Sequence, residues 1–224
     1  MAVTARIVWV LPSVDPEFRR ACLAGLAPDV HERTLVLDNA RPSHNRGVAA
    51  SWNLGVDRAR NERADWLVIC SESMRFGTAG GTDFEAQLAG PITWGACDQT
   101  CHLVVHTGEG FCRNGYGWHL VAIATETFDR VGRFDEHFYP AWWEDSDWIR
   151  RAGLAGIGPG RTANDVDAHL AACEHSTATG LVTGTWADTL PVYEKKWGAP
   201  PPGETFRHPY GDPALDLTYT GDPP

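Results

Sequence analysis

The sequence predicts an α/β protein with a mostly parallel central sheet and helices on both of its faces. Apolar runs typical of buried strands alternate with helix-like segments through the first 70 residues, and this order implies parallel strands joined by crossover helices. Each of the first three predicted strands also ends in polar residues. The length of 224 residues is sufficient for a single domain with a large buried core.

The first half of the chain contains clear start and stop signals for its elements. Residues 6–13 form an apolar run stopped by Pro12, which is typical of a buried strand. Asp15 at the N-cap and Pro16 at the first helical position then begin a helix that ends near residue 28. The next elements are predicted to be a strand, a helix and a strand, over residues 34–37, 48–60 and 65–70.

The second half contains shorter predicted elements and a C-terminal tail. A last helix begins near Trp186, and Pro191 is expected to restrict it to a later start. We expect one domain over residues 1–199 and a Pro/Gly-rich tail over 200–224 that is packed on the surface or flexible. The other elements are predicted as short helices at 84–88 and after Thr125, and as strands at 92–96, 103–106, 118–124 and 166–175.

The composition argues against several classes of protein. A formal charge of −10 disfavours a general nucleic-acid binder, which would carry a basic surface. The chain has no apolar run of 18 residues, so no membrane span is expected. The N-terminus lacks the cleavage pattern of a signal peptide, and we therefore expect a cytoplasmic protein.

The six cysteines occur without a Cys-x-x-Cys motif and are expected to be mostly buried thiols. One window contains side chains of the types that bind zinc. Their spacing matches no common zinc motif, so zinc binding stays open. These residues are Cys97, Cys101, His102, His106 and Cys112.

Polar side chains follow the first three predicted strands. Ser13 ends the first strand, and Asp38 follows the second. Glu72 lies just after the third strand. Because ligands bind beyond the carboxyl ends of the strands in such sheets, we expect these three residues to lie at one edge and to mark a binding site.

An acidic and aromatic segment, FDEHFYPAWWEDSDWIRRAG at 134–153, stands out from the rest of the sequence. It places five carboxylates close to four aromatic side chains and continues as a helix. The helix dipole favours acidic residues in a first turn, which accounts in part for Glu144, Asp145 and Asp147. Alternatively, one of these carboxylates is a general base in a partly dry pocket, where burial and neighbouring charge adjust its basicity.

Motifs of several nucleotide-binding and hydrolytic classes are missing from the sequence. There is no G-x-x-x-x-G-K-[ST] loop, no G-x-G-x-x-G that opens a helix and no G-x-S-x-G elbow. A nucleotidyltransferase would need a basic, glycine-rich first loop, which LPSVDPEF is not.

Four stretches between residues 7 and 206 instead resemble the inverting GT-A glycosyltransferases of the family-2 type. They are LVLDNA with NRGVAASWNLGVDRAR, DWLVICSESMRF, ATETFDRVGRFDEHFYPAWWEDSDWIRRAGLAG, and CEHSTATG with YEKKWGAPPPGETF. The third is the most specific, since it is similar to the family's F-D-E stretch followed by E-D-x-D and a basic helix. The resemblance implies a GT-A fold and transfer of a sugar from a nucleotide-diphosphate sugar to a hydroxyl acceptor.

The resemblance also implies roles for residues of the acidic segment. Asp145 matches the catalytic base, and Glu144 would support this base or hold the acceptor. Trp142 and Trp143 would lie on the acceptor side, where they either stack on a sugar ring or wall the pocket. Asp147 would contact the acceptor or cap the helix.

On the donor side, the resemblance implies that Asp38 accepts a hydrogen bond from the base of the nucleotide. Pro12 and Ser13 would shape the pocket for base and ribose. As an alternative, Asp38 and its neighbour are plain turn residues. The other donor-side residues implied by the family are Asn39, Asn45, Arg46, Asn53, Ser71, Glu72 and Ser73.

The sequence departs from the family at the metal motif. It has Ser71-Glu72-Ser73 where the family has an Asp-x-Asp pattern. A Mn²⁺ or Mg²⁺ ion would then be held by Glu72 and His175. Alternatively the enzyme uses no metal and an arginine neutralises the leaving diphosphate, or the motif has decayed and the protein only binds a sugar nucleotide or glycan.

The expected partners are therefore a nucleotide-sugar donor and a hydroxyl acceptor. The donor base, the sugar and the acceptor stay open. A nucleic-acid partner is not expected from the acidic charge, although a modified base in DNA stays open as an acceptor.

Overall fold

A computed structural model describes residues 5–88, 102–105, 118–157, 161–163, 166–171, 186–222 and 224. Its strands are β1 (Ile7–Ser13), β2 (Thr34–Asp38), β3 (Trp66–Cys70), β4 (Met74–Phe76), β5 (His102–Val105), β6 (Leu120–Ala124), β7 (Arg161–Ala163) and β8 (Ala168–Leu170). Its helices are α1 (Pro16–Gly25), α2 (Pro28–Glu32), α3 (Val48–Asn61), α4 (Thr82–Ala86), α5 (Thr127–Val131), α6 (Glu144–Leu154) and α7 (Trp186–Trp197), with 3₁₀ turns at Pro42–His44 and Pro209–Gly211.

The main sheet has six strands in the order β2-β1-β3-β6-β5-β7. β1 pairs in parallel with both β2 and β3, while β6 is antiparallel to its neighbours β3 and β5. β7 is parallel to β5, so five strands of this sheet share one direction and β6 is reversed. The predicted fold class, a mostly parallel sheet with flanking helices, is confirmed.

Side chains of β1 divide the core into two layers. Val8 and Val10 face a cluster that includes α3, α5 and α6. Trp9 and Leu11 face the opposite cluster, which includes α1 and α4. Gly55 allows α3 to lie close to the sheet, since a Cβ there would be 2.8 Å from the Cβ of Val10.

The early start signals are confirmed, and the expectation for the last helix is wrong. The side chain of Asp15 accepts hydrogen bonds from the main-chain N–H groups of Glu17 and Phe18, and Pro16 begins α1. α7, however, begins at Trp186 and contains Pro191 in its interior. Burial of the distal half of α7 holds this helix although proline removes one of its backbone donors.

Several sequence-based expectations lie outside the described residues. These are the predicted strand at 92–96, the part of the predicted strand beyond residue 171, and four of the five candidate zinc ligands, Cys97, Cys101, His106 and Cys112. In the described ranges, no helix has the length and apolarity needed to cross a membrane.

The C-terminal tail lies against α7. The main-chain N–H groups of Thr205 and Phe206 both donate to the carbonyl of Trp197, at 3.1 Å. The Tyr193 hydroxyl donates to Glu204 over 2.7 Å. The tail therefore packs on the helix that lies behind the acidic segment.

Candidate active site

The carboxyl ends of β1, β2 and β3 meet at one edge, as the topology predicts. Ser13 is the register partner of Asp38, and the N–H of Asn39 donates to the Ser13 carbonyl over 2.7 Å. Glu72 follows β3, and its carboxylate accepts the main-chain N–H groups of Val14 and Asp15, at 3.3 and 3.1 Å. The structure therefore brings Ser13, Asp38 and Glu72 together.

The buried carboxylate of Glu72 holds the loop that follows β1. Burial raises the pKa of Glu72, and hydrogen bonds from Ser13, Asp15 and Val14 oppose this change. Each carboxylate oxygen of Glu72 accepts one main-chain N–H from this loop, which leaves each oxygen a second acceptor site. His175, the other predicted ligand, lies outside the described residues.

The described ranges contain no group of three or more His, Cys, Asp or Glu side chains that could hold a metal ion. Ser71 and Ser73 do not replace the missing carboxylates, because the Ser71 hydroxyl accepts the N–H of Ser73 over 3.2 Å and so stabilises the turn itself. The described residues supply Glu72 as the one carboxylate of this stretch, and the metal site predicted at Glu72 and His175 stays a prediction.

The turn after β2 is held by its own side chains. The Asn39 amide donates to the hydroxyl of Ser51 over 2.9 Å, and the Asn45 side chain accepts the N–H of Gly47 over 2.9 Å. Asp38 and Arg46 are exposed at this edge, while Pro12 is half-buried in β1. The N–H of Ala40 and the Arg19 guanidinium lower the pKa of Asp38, although slight burial opposes them.

Asn53 has a different place from the one predicted. It is buried, and its amide nitrogen donates to the carbonyl of Phe134 and to Glu136, at 2.9 and 2.8 Å. Its amide oxygen accepts the N–H of Phe134 over 2.9 Å. Because all of these bonds go to the acidic segment, Asn53 links α3 to that segment, and we do not include it in the proposed donor site.

The acidic segment is also attached to the turn after β2. The N–H of Val48 donates to the carbonyl of Pro140 over 2.8 Å, and the Tyr139 hydroxyl donates to the Asn45 carbonyl over 3.4 Å. Gly47 has φ of +83°, and a Cβ there would lie 2.9 Å from the Tyr139 ring. This close approach requires glycine and brings the segment to the sheet edge.

The residues before α6 adopt a strained backbone conformation. Trp142 and Trp143 have φ of 84° and 72°, in the left-handed region that large side chains rarely adopt. The Trp143 indole N–H donates to the Trp186 carbonyl over 2.7 Å, and its ring lies 5.5 Å from that of Tyr193. Contacts with α7 therefore hold the turn in a conformation of the kind found at functional sites.

Glu144 and Asp145 begin α6 as two buried carboxylates. Among the described residues, no ion pair includes either of them. Burial raises the pKa of Asp145 to about 6, against opposing hydrogen bonds from Ser146. Burial and the neighbouring Asp145 charge raise the pKa of Glu144 well above its usual value.

Asp145 lies at the end of β3. The main-chain N–H of Trp118 lies close enough to the Asp145 carboxylate to lower its pKa. The main-chain carbonyl of the next residue, His119, accepts a hydrogen bond from the N–H of Ser71 over 2.7 Å. Trp118 and His119, which lead into β6, therefore contact Asp145 and the first residue after β3, at the end of the sheet where Ser13 and Asp38 lie.

Asp147 does not lie at this edge of the sheet. It is fully buried, and its carboxylate binds the Lys196 ammonium at 2.8 Å, the Arg151 guanidinium at 2.8 Å and the Trp197 indole at 2.9 Å. Burial alone would raise the pKa of Asp147, but the charges of Arg151 and Lys196 lower it. An acceptor cannot reach Asp147 without opening this network, so we do not include Asp147 in the proposed acceptor site.

Sequence reasoning missed the partners of Asp147. Lys196 is fully buried and also binds Asp135 at 2.6 Å. A signal was present, because Lys196 lies between Tyr193 and Trp197 on the buried face of α7. A lysine at such a position requires a buried anion, and the acidic segment supplies two.

Comparison with solved structures places this arrangement in a known fold. The chain superposes on the mannosyltransferase PcManGT from Pyrobaculum calidifontis, in complex with GDP-Man and Mn²⁺, with a TM-score of 0.54 and 16% identity over 80% of this chain and 60% of that chain. It therefore spans less than two thirds of the mannosyltransferase. Comparisons with protein-family models and with curated proteins find no match.

A second neighbour is the catalytic domain of Drosophila β1,4-galactosyltransferase 7 in complex with xylobiose, with a TM-score of 0.54 and 14% identity over 76% of this chain and 72% of that chain. A mutant of the same enzyme in complex with manganese, UDP-Gal and xylobiose gives a TM-score of 0.53 and 13% identity over 80% of this chain and 76% of that chain. These likenesses show that the chain has a GT-A glycosyltransferase fold, as predicted. The narrower family-2 assignment stays a prediction.

Proposed function

We propose that this protein is an inverting glycosyltransferase that moves a sugar from a nucleotide-diphosphate sugar to an acceptor hydroxyl, with Asp145 as general base. One observation carries the proposal: Asp145 is a buried carboxylate without a cationic partner among the described residues, beside the end of β3, with its pKa raised to about 6. A base is most effective when its pKa lies near the working pH. The fold shared with two glycosyltransferases is consistent with this chemistry.

The reaction is a single displacement. Asp145 takes the proton of the acceptor hydroxyl as that oxygen forms a bond to the anomeric carbon. The bond from the anomeric carbon to the diphosphate oxygen breaks on the opposite face, and the nucleoside diphosphate leaves with the electron pair. Attack opposite the leaving group inverts the anomeric centre.

The donor would occupy the edge formed by the ends of the first three strands. Ser13 and Asp38 lie there, and Asp38 is exposed enough to accept a hydrogen bond from a base. Glu72 acts on this site indirectly, because it holds the loop after β1 through the N–H groups of Val14 and Asp15. Since the described residues supply only Glu72 as a ligand at this position, no step of the reaction is assigned to a metal.

Asp145→Asn tests this proposal. A thermal-shift screen of UDP-, GDP-, dTDP- and ADP-sugars first identifies a donor, because a specific ligand raises the melting midpoint. Release of nucleoside diphosphate then measures turnover. Loss of the base is expected to reduce turnover by about 10²–10⁴-fold with donor binding retained.

The matched control is Asp129→Asn, which alters an exposed carboxylate paired with Arg60. It should leave turnover unchanged. Turnover of Asp145→Asn equal to that of the wild type would remove Asp145 as the base.

A second candidate function is supported by the arrangement of Ser71, Glu72 and Ser73. The side chains of Ser71 and Glu72 bind main-chain N–H groups of the protein itself, and Glu72 is the one carboxylate among these three residues. This favours a binding module that recognises a sugar nucleotide without transferring the sugar. A donor that raises the midpoint, with neither transfer nor hydrolysis, would support this candidate over the enzyme.

A further inference from the structure

Two buried cysteines lie in contact at the end of β3. Cys22 belongs to α1, and Cys70 is the last residue of β3. Their sulfur atoms are 3.8 Å apart, although 48 residues separate them in the sequence. Both sulfurs also lie near the main-chain carbonyl oxygen of Ser71, at 3.5 Å for Cys70 and 3.8 Å for Cys22. The proposed transfer of a sugar uses neither thiol.

The two thiols are close enough to become a disulfide. Their sulfurs would have to approach from 3.8 Å to about 2.05 Å. β3 is fixed in the sheet because it pairs with β1 on one side and with β6 on the other. The remaining gap of about 2 Å is therefore closed by rotation of the side chains together with a small shift of α1.

α1 is attached weakly enough to open. Among its ten residues only Cys22 is buried. A helix with so little buried surface opens locally at a lower free-energy cost than the strands of the core. While the helix is closed, burial and the neighbouring Cys22 raise the pKa of Cys70, which keeps this thiol protonated and unreactive. Opening of α1 therefore controls the access of an oxidant to the pair.

The position of α1 affects the edge at which we propose that the donor binds. The Glu72 carboxylate accepts the main-chain N–H of Asp15, which is the N-cap of α1. One turn along the helix, the guanidinium of Arg19 binds the Asp38 carboxylate at 3.3 Å. A shift of α1 toward β3 moves Asp15 and Arg19 relative to Asp38, which is on the donor edge. The thiol pair is therefore coupled to this edge through α1.

We propose that Cys22 and Cys70 form a reversible disulfide that links α1 to β3 and switches the donor edge between an active and a less active state. The reduced pair leaves the contact between Arg19 and Asp38 in place, and the disulfide displaces it. Only the effect on the donor rests on the proposed function, because the bond itself forms whatever the protein binds. The oxidant is a low-molecular-weight disulfide such as glutathione disulfide.

The reaction is two successive thiol–disulfide exchanges. With α1 open, the thiolate of Cys22 attacks one sulfur of the oxidant, whose S–S bond breaks, and one small thiolate leaves. The thiolate of Cys70 then attacks the Cys22 sulfur of this mixed disulfide, and the second small thiolate leaves. Two electrons pass from the protein to the oxidant, and the two protons of the cysteines end on the released thiols.

Peptide mapping tests whether the bond forms. The protein is incubated with glutathione disulfide for several hours, because uncatalysed exchange takes minutes to hours, and is then alkylated and digested with trypsin. Cys22 lies in the tryptic peptide 21–33 and Cys70 in 64–75, and each peptide contains one cysteine. Mass spectrometry is expected to find these two peptides joined, and reduced glutathione is expected to separate them.

A second measurement tests the effect on the donor edge. Turnover of the donor found by the thermal-shift screen is expected to be about tenfold to a hundredfold lower in the oxidised protein, because a displacement of about 1 Å can cost a hundredfold. The rise in melting midpoint that the donor causes should also be smaller. Reduced glutathione should restore both. Cys22→Ala is the matched control, whose turnover should not respond to glutathione disulfide.

The first measurement uses the wild-type protein, so it does not depend on whether a variant folds. The proposal is overturned if peptides 21–33 and 64–75 are not joined, or if the bond resists reduced glutathione as a permanent structural disulfide does. It is also overturned if the bond forms and the donor measurements stay the same. A reversible bond that changes the donor-induced midpoint, without turnover in either state, would uphold the switch and contradict the enzyme.

Discussion

Two carboxylates in the first turn of α6, two residues apart, have opposite surroundings. Asp147 lies in a closed cluster with Asp135, Arg151 and Lys196, in which two negative charges meet two positive charges and every side chain is fully buried. Asp145 is almost as deeply buried, yet no cation in the described residues pairs with it. Burial raises the pKa of Asp145, whereas cations keep that of Asp147 low.

The difference follows from helix geometry. Residues two apart on a helix point about 200° apart, so Asp147 faces α7 while Asp145 faces the sheet edge. The closed cluster stabilises the fold, because its charges are compensated. Glu144 and Asp145 are buried without a cation among the described residues, at a cost in free energy of the kind that functional sites commonly retain.

Lys196→Met is expected to have the largest effect on this comparison. It leaves Asp135 and Asp147 buried without the ammonium that they share, which should reduce the free energy of unfolding by about 3–5 kcal/mol. Urea denaturation measures the loss. Lys195→Met, at the exposed neighbouring position, should change stability by less than about 0.5 kcal/mol. Wild-type stability in Lys196→Met would show that the closed cluster does not hold the fold.

The same substitution at the two aspartates should change stability in opposite directions. Asp147→Asn removes one partner of a buried ion pair and should cost about 3 kcal/mol. Asp145→Asn removes an uncompensated buried charge, and it should stabilise the protein at pH 8 by an amount on the order of 2 kcal/mol. Urea denaturation of both variants at pH 8 checks these signs.

Repeating the measurement at pH 5 sharpens the contrast. A carboxyl whose pKa is raised in the folded state destabilises the protein least at a pH below its unfolded pKa and most at a pH above its folded pKa. The stabilisation of Asp145→Asn relative to the wild type should therefore be smaller at pH 5 than at pH 8. Asp147 has a lowered pKa, so its contribution to folding stability is lost only at a lower pH. The loss of stability in Asp147→Asn should therefore persist at pH 5. Equal changes in both variants at both pH values would contradict the comparison.

The pH dependence of turnover gives a third measurement. Asp145 must be ionised to accept a proton, so kcat/KM should be half-maximal near pH 6 and fall about tenfold per pH unit below it. Assays between pH 4.5 and 8, with a donor found by the thermal-shift screen, check this. A profile that is flat through pH 6 would exclude Asp145 as the titrating base.

The smallest effect is expected at the rim of the closed cluster. His137 bonds Asp135 at 2.7 Å and Asp222 of the tail at 3.1 Å. Partial burial would lower the pKa of His137, but the two carboxylates raise it overall. The added stability is present below the pKa of an unfolded histidine and is lost as pH rises through the raised value.

His137→Gln should therefore reduce stability by a few tenths of a kcal/mol at pH 6, since exposed pairs contribute about 0–1 kcal/mol, and should have no effect at pH 9. Urea denaturation at the two pH values measures this, with His31→Gln in α2 as the exposed control. An equal loss of stability at both pH values would indicate that His137 contributes through packing rather than through its charge.

Local patterns in the sequence were sufficient for the first half of the fold. Asp15 and Pro16 predicted the start of α1, and alternating apolar runs predicted the parallel strands. They were also sufficient to place Ser13, Asp38 and Glu72 at one edge, because the carboxyl ends of parallel strands always meet. The family pattern identified Asp145 as a candidate, although its basicity depends on burial that no local pattern reports.

Long-range contacts decided what the local pattern left open. Glu144, Asp145 and Asp147 are all acidic residues of a first turn, and the i,i+4 spacing to Arg151 favours Asp147 locally. The packing of α7 then brings Lys196 from about 50 residues away to the same face of α6. Likewise Asn53 in α3 and Glu72 after β3 are polar residues whose partners no local pattern reveals, and in the structure both bind main-chain groups far along the chain.

By itself, then, the sequence determined the order of strands and helices and the carboxylates available for chemistry, because these depend on side-chain type and spacing. The tertiary structure decided that Asp147 meets the buried Lys196 and that Asp145 meets no cation among the described residues. The physical reason is that the pKa of a buried group depends on its surroundings in three dimensions, and those surroundings come from distant parts of the chain.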